Sequence, residues 1–134
     1  PAMLERGGGT FVTISSGAGY NFYPDGPRPG LGYRMGKAAG HMLAGSIQAE
    51  HRSAGIRAFN VEPGFVATER NQLDSAEFGF DPKWAAPPSA VGAAVAWLVT
   101  DREADGLQRG EIAAQQLALD KGLHPDWRQP PVSP

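Results

Sequence analysis

The chain has 134 residues, 41% of them hydrophobic and 19% charged, with a formal net charge of −2 and no cysteine. This is enough chain for one domain with a modest core and is too apolar for a disordered tail. The absence of a Lys/Arg run argues against a nucleic-acid or polybasic membrane surface, the absence of cysteine excludes disulfides and thiol chemistry and is compatible with a cytoplasmic location, and no apolar run reaches the roughly 18 residues of a membrane span.

Pro1 to Arg6 reads as a last helical turn, ended by Gly7-Gly8-Gly9, because glycine is the usual residue just past a helix. No signal peptide is expected, and a proline start inside a helical turn reads as the continuation of a longer chain. Thr10 to Ser16 is β-branched and aromatic without charge, which suits a parallel strand buried on both faces. Gly17 to Gly32 is a proline-rich loop whose Tyr20, Phe22 and Tyr23 either pack it down or line a pocket. Leu31 to about Ser53 reads as a helix with a small apolar face. Its Gly36, Gly40 and Gly45 each cost up to about 1 kcal/mol relative to alanine, so close packing of another element is expected there.

Gly55 stops that helix, and Gly55 to Glu62 is a second strand, broken by Pro63-Gly64. A strand–helix–strand of this length forms a right-handed βαβ unit with parallel strands. Both strands then end on one sheet edge, where ligands of open α/β sheets bind. Residues 65–88 form a long irregular connection, of the kind that serves as a lid or binding segment. Pro87-Pro88-Ser89 is expected to cap a nearly all-apolar helix from Ala90 to about Thr100, buried against the sheet. Asp101 to Arg109 is a polar turn. Gly110 to Leu119 reads as a third strand, with a short helix as the rival, and 123–134 is an extended proline-rich tail. His41, His51 and His124 lack metal-ligand spacing, so no metal site is expected. No G-x-G-x-x-G phosphate loop follows a strand.

Tyr33 and Lys37 stand four residues apart, which places them on one helix face about 5–6 Å apart at Cβ. A cation there favours phenolate and draws a tyrosine down from its reference pKa of about 10, making an acid–base group. The spacing alone is common on solvated helix faces, and the neighbouring segments give it meaning. In chain order come a strand ending Ile14-Ser15-Ser16-Gly17-Ala18-Gly19, the Tyr33/Lys37 helix, and a strand ending Asn60-Val61-Glu62-Pro63-Gly64 with Thr68 following. This order strongly resembles the C-terminal half of the short-chain dehydrogenase/reductase family, over roughly residues 1–122. Tyr33 and Lys37 match its Tyr-x-x-x-Lys motif, Ser16 its catalytic serine, and Pro63, Gly64 and Thr68 its Pro-Gly-x-x-x-Thr segment.

The resemblance implies an α/β fold: the C-terminal part of a Rossmann-like, doubly wound parallel sheet, ordered strand-helix-strand-helix-strand. It implies hydride transfer between NAD or NADP and a small alcohol or carbonyl substrate. Tyr33 would be the general acid/base and Ser16 would bond the substrate oxygen. Lys37 would hold the nicotinamide ribose, and Tyr33, Pro63, Gly64, Val66 and Thr68 would line the cofactor. Residues 69–88 would be the substrate lid, and Gly17, Arg70, Phe78, Phe80 and Trp84 candidate substrate contacts. The family's first half, with its phosphate loop, is absent. The Ser16–Tyr33 loop is longer than usual, and Asp120-Lys121-Gly122 is the nearest echo of the family's closing Asp-Gly-Gly. Two expectations follow. One is that the chain is the catalytic half of an oxidoreductase, a fragment of it. The other is an inactive remnant that cannot hold a dinucleotide. A homo-oligomer is expected, through the edge of strand 10–16 or the glycine-rich helix face.

Overall fold

The computed structural model describes residues 2–21, 30–71, 85–108 and 110–127. A short helix α1 (Ala2–Glu5) leads into strand β1 (Gly9–Ile14), and a 3-10 turn (Gly17–Gly19) follows it. Helix α2 (Leu31–His51) and a 3-10 turn (Arg52–Ala54) lead to β2 (Ile56–Glu62). Then come α3 (Pro88–Thr100), a 3-10 segment (Glu103–Leu107), β3 (Glu111–Ala113) and α4 (Ala114–Asp120). The sheet is parallel in the order β1-β2-β3. This is the expected α/β arrangement, with the βαβ unit formed by β1, α2 and β2.

Glycine shapes the two ends of this unit. Gly55, at φ +78°, ends the helical stretch in the left-handed conformation, and a Cβ there would lie 2.7 Å from the Gly7 carbonyl oxygen. A Cβ on Gly8 would in turn lie 2.9 Å from the Gly55 carbonyl oxygen, so the two chain reversals approach too closely for a side chain at Gly8 or Gly55.

The two sheet faces differ in chemistry. Register pairs Val12 with Phe59 and Ile14 with Val61, and Val61 with Ile112. Phe59, Val61 and Ile112 join Ala90, Ala94, Leu98, Ala114, Leu117 and Trp127 in the main core, under α3 and α4. Arg57 shares this face and is 8% exposed. Its guanidinium donates to Asp105 Oδ1 at 2.6 Å, to the Val99 carbonyl at 2.9 Å and to the Asp101 carbonyl at 2.7 Å, so its buried charge is paired and its N–H groups satisfied. The opposite face, under α2, carries Thr13, Asn60 and Glu111 in register. Thr13 Oγ1 donates to Asn60 Oδ1 at 2.9 Å, and Asn60 Nδ2 donates to His41 Nδ1 on α2. Of the 21 residues of α2, Ala44 is the one that is fully buried.

Four expectations need correction. The third strand is three residues long; Ala114–Asp120 is helical, so the alanine- and glutamine-rich stretch follows its helix propensity. Ser89 does not cap α3: Pro87 stands at the N-cap, Pro88 opens the helix, and Ser89 Oγ is bonded to His124. β1 is not buried on both faces; Ile14 is 44% exposed, and among the described residues β1 is an edge strand with one neighbour. Finally, a Cβ on Gly36, Gly40 or Gly45 would meet nothing within 4 Å among the described residues. The close approach to α2 is made by Gly19 instead, where a Cβ would lie 2.8 Å from the Ala38 nitrogen.

Candidate active site

β1 and β2 run parallel and end together, so the residues following them share one edge. Ser15 N–H continues the ladder onto the Val61 carbonyl at 2.7 Å. Ser16 then turns the chain: its side chain accepts the Ala18 N–H at 3.2 Å, capping the 3-10 turn. That bond leaves the Ser16 hydroxyl proton available to an acceptor. Gly17 and a buried Ala18 follow.

Helix α2 is tied to this edge by its first turns. Arg34 donates to the Ala18 carbonyl at 3.3 Å and to the Asn21 carbonyl at 3.2 Å. Lys37 Nζ donates to the Ile14 carbonyl at 2.7 Å, one residue before the serine pair. The same ammonium lies 5.5 Å from the centre of the Tyr33 ring, within cation–π range. Tyr33 is half exposed. Thr13, Ile14, Gly32, Tyr33, Gly36, Lys37 and Gly40 line a shallow groove along this end of the helix.

The loop after β2 is held from below. Gly64 takes φ +68°, a conformation that favours glycine. Gln115 Nε2, at the start of α4, donates to the Pro63 carbonyl at 2.9 Å and the Phe65 carbonyl at 2.8 Å, on either side of it. Trp127 Nε1 in turn donates to the Gln115 carbonyl at 3.1 Å. Val66 forms a parallel bridge with Ala86, and Thr68 Oγ1 accepts the Asn71 N–H at 3.2 Å. Arg70 is exposed. Phe78, Phe80 and Trp84 lie outside the described residues, as do most of the expected lid and tail residues 128–134. Asp120-Lys121-Gly122 ends helix α4, with Gly122 at φ +60° just past it, and so is not a strand end.

Two acidic residues at this edge were not singled out in the sequence. Glu111, first residue of β3, accepts the Ser15 hydroxyl at 2.5 Å and the Tyr20 hydroxyl with its other oxygen. The Tyr20 ring lies 5.8 Å from that of His41. Glu62, last residue of β2, accepts the Gly64 N–H at 3.0 Å, with the Gly17 amide nearby. Burial pushes the Glu62 carboxyl above the ordinary carboxylate range, and the nearby Glu111 charge adds to this against the lowering effect of the two amides. The signal for this pair was the alternation Asn60, Glu62 within an apolar strand, which marks one polar face.

Ser89 and His124 also meet, at 2.9 Å. His124 Nδ1 accepts the Asp126 N–H at 3.2 Å, which leaves the ring proton on Nε2. His124 therefore donates to Ser89 and does not activate it. Among the described residues no group of three or more His, Cys, Asp or Glu is gathered to hold a metal ion. No described helix is long and apolar enough to cross a membrane.

Besides the Glu62 and Glu111 carboxylates, the β1–β2 edge carries the Ser16 and Tyr33 hydroxyls, the Lys37 ammonium and the backbone around a left-handed glycine. That donor set suits a sugar diol and a carboxamide, and so fits the nicotinamide end of a dinucleotide. The sequence offers no G-x-G-x-x-G loop that follows a strand and opens a helix to hold the pyrophosphate.

A family model described as short chain dehydrogenase matches residues 1–77. A relative from Bradyrhizobium diazoefficiens, named as a probable short-chain type dehydrogenase/reductase, is 32% identical over 92% of this chain and 43% of its own length. The crystal structure of a short chain dehydrogenase from Mycobacterium paratuberculosis bound to NAD is similar, at 28% identity and a TM-score of 0.60, over 84% of this chain and 48% of that one. A protein from Beutenbergia cavernae solved with NADP bound at low occupancy is 25% identical, with a TM-score of 0.65, over 84% of this chain and 47% of that one. The chain thus spans less than half the length of the proteins it matches.

Proposed function

The chain belongs to the short-chain dehydrogenase family, and on that premise we propose that it carries the acid–base half of an NAD(P)-dependent oxidoreductase acting on a small alcohol or carbonyl compound. The observation that supports this most is the position of Lys37. Its ammonium is anchored on the Ile14 carbonyl, close in sequence to Ser16, and stands over the Tyr33 ring, which supports pairing the two side chains.

In this reading Tyr33 gives its proton to a carbonyl oxygen on reduction and takes one from an alcohol on oxidation. Ser16 directs its unused hydroxyl proton at the same oxygen, where negative charge grows in the transition state. Lys37 keeps a positive charge beside the phenol and offers its remaining N–H groups to the ribose diol. Pro63, Gly64, Val66 and Thr68 line the carboxamide side, and Gly17 and Arg70 face the substrate. The nicotinamide, when bound, supplies or accepts the hydride. The residues described here orient it and manage the proton.

Titration of the chain with NADH and NADPH, read from backbone amide NMR shifts, tests the reading. Saturable shifts centred on Ser16, Lys37 and Gly64 are expected for at least one of the two. An unchanged spectrum at millimolar nucleotide would overturn it.

A further inference from the structure

The loop after β2 carries Pro63, Gly64, Val66 and Thr68, the residues assigned above to the carboxamide side of the nicotinamide. The parallel register ends at Glu62, opposite Ala113, so carbonyls beyond it need partners outside the ladder. One side chain takes two of them. Gln115 Nε2 donates to the Pro63 carbonyl at 2.9 Å and to the Phe65 carbonyl at 2.8 Å. A primary amide has two N–H groups, and both are used here. The Ala86 N–H donates to the same Phe65 oxygen at 3.0 Å, so both of its lone pairs are engaged. Gly64 stands between the two carbonyls at φ +68°, and a Cβ there would collide with the Gln115 amide. The seat of Gln115 is itself fixed. Its neighbours Ala114, Leu117 and Ala118 on α4 are buried, and Trp127 Nε1 donates to its carbonyl at 3.1 Å.

We propose that Gln115 is a positioning residue: its side-chain amide locks the Pro63–Phe65 reversal against α4 and so holds the nicotinamide-facing loop in one arrangement. The lock stands on the hydrogen bonds alone, whereas its role toward the nicotinamide rests on the oxidoreductase reading. An amide suits the task because it offers two donors on one nitrogen, one for the carbonyl on each side of Gly64. A carboxylate in its place would set acceptors against acceptors, and an apolar side chain would leave the Pro63 carbonyl without this donor. The loop after β2 thus takes its position from α4, which follows it in the chain by about fifty residues.

The first test needs no variant. In the 134-residue chain, both side-chain amide protons of Gln115 should exchange with solvent more slowly than those of the exposed Gln116, whose Nε2 reaches only Asp120 Oδ1. Gln115→Met keeps the length of the side chain without a donor, and Gln115→Glu keeps its shape with acceptors where the donor stood. In both, the Pro63 carbonyl carbon resonance should move to higher field, and that of Phe65 should move less because Ala86 still bonds it. NADH or NADPH should bind both variants about tenfold more weakly than the parent chain, the scale of one or two lost hydrogen bonds. Shifts caused by ADP-ribose, which lacks the nicotinamide, should be the same in all three chains. Gln115 protons exchanging as fast as those of Gln116, or a Pro63 carbonyl resonance unmoved in both variants, would overturn the lock. Equal affinity of parent and variants for the nicotinamide nucleotides would overturn the positioning role. If the lock is seen while NADH and NADPH leave the parent spectrum unchanged, the lock stands and the oxidoreductase reading falls.

Discussion

Glu111 binds Ser15 at 2.5 Å although β3 and β1 are not neighbours: the carboxylate reaches across β2 to the far strand. Its other oxygen takes the Tyr20 hydroxyl, so one side chain fixes the strand end before Ser16 and the turn after it. Ser15 is 3% exposed, and its hydroxyl proton has no water to turn to.

Glu111→Ala is therefore expected to destabilise the chain by about 1–3 kcal/mol, the cost of orphaning a buried hydroxyl and losing a charge-assisted bond. Glu111→Gln keeps an acceptor for one of the two hydroxyls and should cost less. Urea unfolding of the two variants against the parent chain checks the order.

Stability should also respond to Glu62. Its carboxyl titrates above its unfolded value, so the native state holds the proton more tightly than the unfolded chain does. The contribution is then fully present below the unfolded pKa and is lost as pH rises through the native one. Glu62→Gln removes this dependence. The difference in Tm, variant minus parent, should increase as pH rises from 4 through the native pKa and level off above it. A constant difference across that range would contradict it.

Gly64→Ala should be strongly unfavourable. A left-handed backbone costs an ordinary residue about 1–2 kcal/mol. The new Cβ would also fall 2.4 Å from Gln115 Nε2, forcing that side chain off the Pro63 and Phe65 carbonyls. Gln115→Ala in the same chain relieves the clash but not the backbone strain, so the double variant should recover only part of the loss. Gly36→Ala, Gly40→Ala and Gly45→Ala meet open space, and each should stabilise by up to about 1 kcal/mol. Thermal unfolding of the single variants separates the two classes.

For the chemistry, Tyr33→Phe removes one hydroxyl from a half-exposed ring and should leave the fold untouched. In a preparation that turns over NAD(P), it should lower kcat at least about a hundredfold, the scale of a lost general acid. Retained turnover would overturn the assignment.

Association is the last prediction. Among the described residues β1 has one unpaired edge, and Leu31, Met35 and Met42 are 72%, 63% and 67% exposed along α2. Exposed strand edges and apolar patches of this kind recruit further chains. Sedimentation at micromolar concentration is expected to show dimers or larger species, and a monodisperse monomer would contradict it.

Much of this fold is legible in the sequence. The uncharged β-branched run at Thr10–Ile14, the length of the following helix and the break at Pro63-Gly64 suffice for a parallel βαβ unit. They also bring Ser16, Lys37 and Gly64 toward one edge. What stayed hidden depends on contacts across the sheet. Glu62 and Glu111 look like ordinary surface charges until the register places them beside Gly17 and Ser15. The strand boundary at Ala113 was equally hidden, since Ala114-Gln115-Gln116 has no periodicity to separate strand from helix. The glycines of α2 misled because glycine reports either a close neighbour or mere tolerance, and composition cannot tell them apart.

The unequal faces of the sheet divide labour between cohesion and the proposed chemistry. Phe59, Val61 and Leu98 seal one side, whereas α2, with Ala44 as its one fully buried residue, is fastened to the other through Arg34, Lys37 and His41. A helix fastened by polar bonds can open while the apolar side stays closed. Amides of α2 should then exchange with solvent well before those of β2. The residues proposed to do the chemistry can drift through mutation without threatening the side that keeps the chain folded.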